Sequence, residues 1–110
     1  YYDKIVSSVR EYLMKHYQDA SLEGAAETVN LSPAYLSKIF KEKNGTSFSD
    51  TLLGIRMEKA KEMLGDIHYK SYDIAYYIGY DNPKNFSRAF KSYCGMTPME
   101  FRKSRTGERQ

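Results

Sequence analysis

The chain has 110 residues, 41% of them hydrophobic and 15% aromatic, with a formal net charge of +3. That is enough apolar material for one small domain or two very small subdomains, and it excludes global disorder. No run approaches the roughly 18–20 apolar residues of a membrane span, no signal peptide is apparent, and the lone Cys94 fits a reducing, cytoplasmic setting. The chain opens Tyr-Tyr-Asp without Met, which points to a domain excised from a longer protein.

Taken in order, about residues 3–17 place Ile5, Val9, Tyr12, Leu13 and His16 on one helical stripe, the pattern of a helix packed over its neighbours. His16 reads as a partly buried edge residue, since neither it nor His68 has acidic or Cys companions at metal-ligand spacing. Ser21 is placed to cap a short helix from Leu22 to about Val29, whose Ala25-Ala26 pair lets another helix cross closely. Gly24 is its weak spot, costing about 1 kcal/mol relative to Ala inside a helix. Ser32-Pro33 then starts a helix that Asn44-Gly45 ends.

Ser47 opens a long helix to about Leu64, with Phe48, Leu52, Ile55, Ala60 and Met63 on its apolar side and Gly65-Asp66 behind it. Arg56, beside that seam, reads equally as a solvated cation or as half of a structural ion pair. Ser71 is expected to cap the short helix Tyr72–Ile78, and Gly79-Tyr80-Asp81 to turn the chain into a helix that Asn82-Pro83 starts and Cys94-Gly95 ends. Thr97-Pro98-Met99-Glu100 is a capping box that starts a last helix packing Met99 and Phe101. The tail from Lys103 has no apolar face and is expected to fray. Nothing alternates with period two. The fold class is therefore all-α, with about seven helices: two helix–turn–helix subdomains joined by a linker helix. The expected boundaries are 1–46, 47–65 and 66–103, with 104–110 a disordered tail.

The stretch NPKNFSRAFKSY, residues 82–93, organises the rest. At about 100° per residue, Lys84, Ser87, Arg88 and Lys91 form one polar stripe, and Phe86, Ala89, Phe90 and Tyr93 lie on the other side. Three cations without an anion, on a helix anchored by aromatics, suit insertion into a phosphate-walled groove. The stripe occurs twice. At a shift of 50, Pro33, Ser37, Lys38, Phe40, Lys41 and Gly45 fall on Pro83, Ser87, Arg88, Phe90, Lys91 and Gly95. The preceding helix repeats at a shift of 49, Ala25, Ala26, Val29 and Leu31 falling on Ile74, Ala75, Ile78 and Tyr80, so the second turn is one residue longer. The first copy sets Ala34, Ser37, Lys38 and Lys41 against a face of Leu36, Ile39 and Phe40.

Residues 5–103 resemble the DNA-binding domain of the AraC/XylS family of bacterial transcription regulators. The resemblance rests on A-A-E-T-V-N-L-S-P-A-Y-L-S-K-I-F-K from Ala25, R-M-E-K-A-K-E-M-L from Arg56, and I-A-Y-Y-I-G-Y-D-N-P-K-N-F-S-R-A-F-K-S-Y-C-G-M-T-P-M-E-F-R from Ile74. It implies two recognition helices in adjacent major grooves of double-stranded DNA, no cofactor, RNA polymerase as a partner of the full-length regulator, and an effector or receiver domain elsewhere in that protein. The wording is most similar to regulators with a phosphorylation-controlled receiver domain. By position the resemblance puts base contacts on Ala34, Ser37, Lys38, Lys84, Asn85, Ser87 and Arg88; all but Asn85 already lie on a stripe. Lys41 and Lys91, one turn further along, suit phosphates. Two departures stand out. Thr51 replaces the family's usual aromatic, and Ala34 is small where some relatives carry a large contact residue.

A helical protein-interaction module that binds an acidic partner through the same basic faces remains an alternative. An enzyme fits less well: there is no nucleophile–base pair, no carboxylate pair in an apolar setting and no phosphate-binding Gly loop.

Overall fold

The structure is a computed structural model that describes residues 1–105. Among these residues there are seven helices and no strand: α1 (Tyr2–His16), α2 (Leu22–Thr28), α3 (Pro33–Asn44), α4 (Phe48–Leu64), α5 (Ser71–Tyr77), α6 (Pro83–Cys94) and α7 (Pro98–Arg105). They form two compact units, one from Tyr1 to Ile55 and the other from Arg56 onward, whose division falls inside α4. No helix among the described residues is long and apolar enough to cross a membrane.

In the first unit α1, α2 and α3 pack on one another. Ile5, Val9 and Leu13 of α1 meet Ala25 and Ala26 of α2 and Leu36, Ile39 and Phe40 of α3, and Phe48 closes the cluster with its ring 6.2 Å from Phe40. Leu52 and Ile55 are only partly buried against it. His16 is exposed rather than half-buried, because the buried stripe ends at Leu13. Gly24 proves to be a close-approach site. A Cβ there would collide with the Tyr12 hydroxyl, which accepts a hydrogen bond from the Ser21 amide at 3.3 Å. A side chain at this place in α2 would displace the Tyr12 hydroxyl from the Ser21 amide.

In the second unit α6 packs on α5 and α7. Its buried residues include Ile74, Ala75, Ile78, Phe86, Phe90 and Phe101. Tyr80, Phe86, Phe90 and Phe101 run as a chain of rings with centroids 5.8, 5.6 and 5.5 Å apart in succession. Such edge and tilted pairs add about 0.5–1.5 kcal/mol each beyond their burial.

Four expectations change here. Met57 and Leu64 of α4 are fully buried with Ala60, whereas Met63 is only half-buried. At about 100° per residue, Phe48, Leu52 and Ile55 lie on one side of α4, and Met57, Ala60 and Leu64 on another, so a single-stripe reading misses the second set. Ser71 does not cap α5; it is the first helical residue, and Lys70 stands before it without a side-chain cap. In α7 it is Pro98, not Met99, that is buried beside Phe101, and Met99 is 52% exposed. Lys103, Ser104 and Arg105 stay helical, with the Ser104 hydroxyl bonded to the Phe101 carbonyl at 2.7 Å and the Arg105 guanidinium 5.1 Å from the Phe101 ring. The rest of the expected tail, 106–110, lies outside the described residues.

Candidate nucleic-acid interface

Both polar-striped helices begin and end as their residues dictate. Ser32 Oγ accepts from the Tyr35 amide at 3.2 Å and Asn82 Oδ1 from the Asn85 amide at 2.8 Å, each with proline in the first turn. Gly45 and Gly95 stop them at φ 88° and 84°, the left-handed conformation that costs glycine nothing. Upstream, both turns pass through one positive-φ residue at equivalent positions, Asn30 at 57° and Gly79 at 112°. Asparagine is the non-glycine residue best suited to that conformation.

On α6, Phe86 and Phe90 are buried, while Lys84, Asn85, Arg88 and Lys91 are exposed and Ser87 is half-buried. On α3, Leu36, Ile39 and Phe40 are buried, and Ala34, Ser37, Lys38 and Lys41 are exposed. Each helix thus turns its apolar face inward and gathers its expected contact residues on the outer one. Tyr93 departs from the expected apolar face. It is 41% exposed, and its hydroxyl donates to Glu58 Oε2 of α4 at 3.1 Å. Lys61 Nζ reaches the same carboxylate at 3.1 Å and lies 5.4 Å from the Tyr93 ring. Partial burial and then the Glu58 hydrogen bond raise the Tyr93 phenol above its ordinary value, so it stays protonated and can keep donating.

Other supports of the two helices were not visible as sequence motifs. The Lys43 ammonium lies 4.9 Å from the Tyr2 ring, which sets the end of α3 beside the start of α1. Asn44 at the end of α3 accepts from Arg10 at 2.9 Å and donates to Thr51 Oγ1 at 3.3 Å. Thr51, the departure from the family's aromatic, thereby serves as a polar tie between α3 and α4. The Arg56 guanidinium lies 5.9 Å from the ring of Tyr80, whose phenol is raised by burial against the opposing pull of that cation. Arg102 donates to the carbonyls of Leu64, Asp66 and Tyr69, which satisfies the end of α4 and pins the connection to α5. Its partners lie more than thirty residues away, beyond what local spacing reveals.

A family model described as a helix-turn-helix domain matches residues 25–104, from α2 into α7, and so takes in both striped helices. The chain belongs to the AraC-type helix–turn–helix family. A curated relative, the uncharacterized transcriptional regulatory protein YesN of Bacillus subtilis, is 42% identical over 90 residues, covering 79% of this chain and 24% of its own. The chain thus spans about a quarter of that relative's length. Among solved structures, the C-terminal domain of AraT, a response regulator from Geobacillus stearothermophilus, is 41% identical with a TM-score of 0.87, over 96% of this chain and 90% of that one. The C-terminal domain of the two-component response regulator yesN from Fusobacterium nucleatum is 36% identical with a TM-score of 0.81, over 86% and 93%. The AraC-type fold and its seven helices are therefore shared with relatives of substantial identity.

Proposed function

We propose that this chain is the DNA-binding module of a bacterial transcription regulator, reading double-stranded DNA through α3 and α6. One observation carries the reading: two equivalent helices, each anchored by buried residues, expose a stripe with cations and hydrogen-bonding side chains. Arg88 offers the planar fork that pairs bidentately with guanine, Lys38 and Lys84 are further donors to base edges, and Lys41 and Lys91 grip phosphates. Ser37, Ser87 and Asn85 complete the polar contacts, and Ala34 packs on a thymine methyl. The names of YesN and AraT, a transcriptional regulatory protein and a response regulator, support a longer regulator around this module; a receiver domain, a cytoplasmic setting and contact with RNA polymerase belong to the same proposal.

The test is selection from a random duplex pool, followed by anisotropy titration of the enriched site and a scrambled one across a salt series. A DNA reader shows a steep salt slope on both and a residual preference for the enriched site at high salt. Absence of any enriched sequence, with identical affinity for both duplexes, would contradict the reading and leave an acidic protein partner as the better fit.

A further inference from the structure

The turn into α6 holds a polar cluster that the turn into α3 lacks. Asp81 Oδ1 accepts from Asn85 Nδ2 at 3.2 Å and, at a longer 3.5 Å, from Asn82 Nδ2. Asp81 is the residue by which the second turn exceeds the first, since Tyr80 falls on Leu31 at a shift of 49 and Asn82 on Ser32 at a shift of 50. Asn85 falls on Tyr35, whose side chain has no amide to orient. The helix start does not need Asp81, because Asn82 already caps the Asn85 amide at 2.8 Å. Asp81 and Asn85 are both exposed, so the pair spends its hydrogen bond at the mouth of the candidate interface rather than in the core.

A carboxylate only accepts, so the Asn85 amide must turn its nitrogen toward Asp81. That leaves Oδ1 and the second N–H pointing away, an acceptor beside a donor. Adenine presents the matching pair in the major groove, the N6 donor and the N7 acceptor, whereas guanine presents two acceptors. The carboxylate next to Asn85 adds repulsion against guanine's O6 and N7. We propose that Asp81 is a positioning residue that fixes Asn85 as a reader of adenine and sets it against guanine. The proposal rests on α6 lying in a major groove, as put forward above.

The experiment is selection from a random duplex pool with the 110-residue chain and its D81A, D81N and N85A variants, followed by titration of duplexes differing only at the selected adenine. The unsubstituted chain should enrich adenine at one position of the α6 half-site, and N85A should flatten that position alone. D81A removes both orientation and repulsion and should cut the adenine-over-guanine ratio about tenfold, with no loss of affinity for random DNA. D81N keeps an acceptor for Asn85 and removes only the charge, so it should retain part of the preference. A D81A or D81N protein with the original adenine-over-guanine ratio would overturn the proposal, as would an N85A protein that still selects adenine. If the unsubstituted chain enriches no sequence at all, it is the DNA-reading function that fails, a result distinct from specific binding indifferent to Asp81.

Discussion

Arg88 and Lys91 are cations three residues apart on the exposed side of α6, opposite the buried Phe86 and Phe90. Their chemistry separates their roles. The Arg88 fork, nearer the helix N-terminus that enters a groove, suits a base edge; the Lys91 point charge, a turn further on, suits a phosphate. Arg88→Ala is expected to cost about 1–3 kcal/mol on the enriched site, little on random DNA, and to relax selection at one base pair. Lys91→Ala should weaken both duplexes alike and reduce the salt slope by about one unit. Titrations of both variants on both duplexes across a salt series decide it: equal proportional losses would remove the reading role from Arg88. Thermal melts should show both variants folded.

At the scale of the elements, α7 offers a pH handle. Glu100 Oε1 accepts from the Thr97 amide at 2.9 Å, while Thr97 Oγ1 accepts from the Glu100 amide at 3.1 Å. The backbone hydrogen bond from Thr97 lowers the Glu100 carboxyl below its ordinary value. A group held lower in the folded than in the unfolded state stabilises fully above its unfolded value and ceases to do so as pH falls through the folded one. Glu100→Gln keeps an acceptor for the Thr97 amide but cannot titrate, so urea midpoints from neutral to acid pH should fall less steeply for the variant than for the parent. Identical slopes would show that the box contributes no acid sensitivity. Arg102 supplies a second test. Arg102→Lys keeps the charge but loses the fork that reaches three carbonyls, so urea unfolding should lose about 1–3 kcal/mol with an unchanged m-value.

The same elements show what local sequence encodes. Ser32-Pro33, Asn82-Pro83 and Thr97-Pro98 each mark a helix start, because cap, proline and first free amides lie within four residues of one another. The outward stripes of α3 and α6 were legible for the same reason, being fixed by helical period alone. Met57 and Leu64 were not, since α4 changes the side it buries partway along, and Met99 was not, since Pro98 took the buried place. Arg102 and the Tyr93–Glu58 pair depend on partners distant in sequence, which no spacing rule anticipates.

For the whole molecule, the duplication predicts a tandem operator. Major-groove faces on one side of B-DNA recur about every 10–10.5 bp, and a 17-residue α4 measures roughly 25 Å at about 1.5 Å per residue. One chain is expected to protect an asymmetric site of roughly 20 bp, touching two successive grooves. Inserting about 5 bp between the half-sites should abolish two-groove binding and leave the affinity of a single half-site. Unchanged affinity after the insertion would mean that only one striped helix engages. The half-site read by α6, with Lys84, Asn85, Ser87 and Arg88, should tolerate fewer base changes than the one read through Ala34, Ser37 and Lys38.

The uninterrupted run of α4 across the division at Ile55 also bears on how the protein comes apart. Split there, the helix yields two pieces of about eight or nine residues, each shorter than the roughly 12–15 an isolated helix needs in water. Neither half keeps its hydrogen-bonded turns without the side chains that Phe48 and Leu52 bury at one end and Met57 and Leu64 at the other. Loss of one core therefore shortens the frame on which the other is built, and the chain should melt in one cooperative transition. Fluorescent probes attached in α1 and in α6 would report the same midpoint, and two resolved midpoints would show that each half of the helix survives alone.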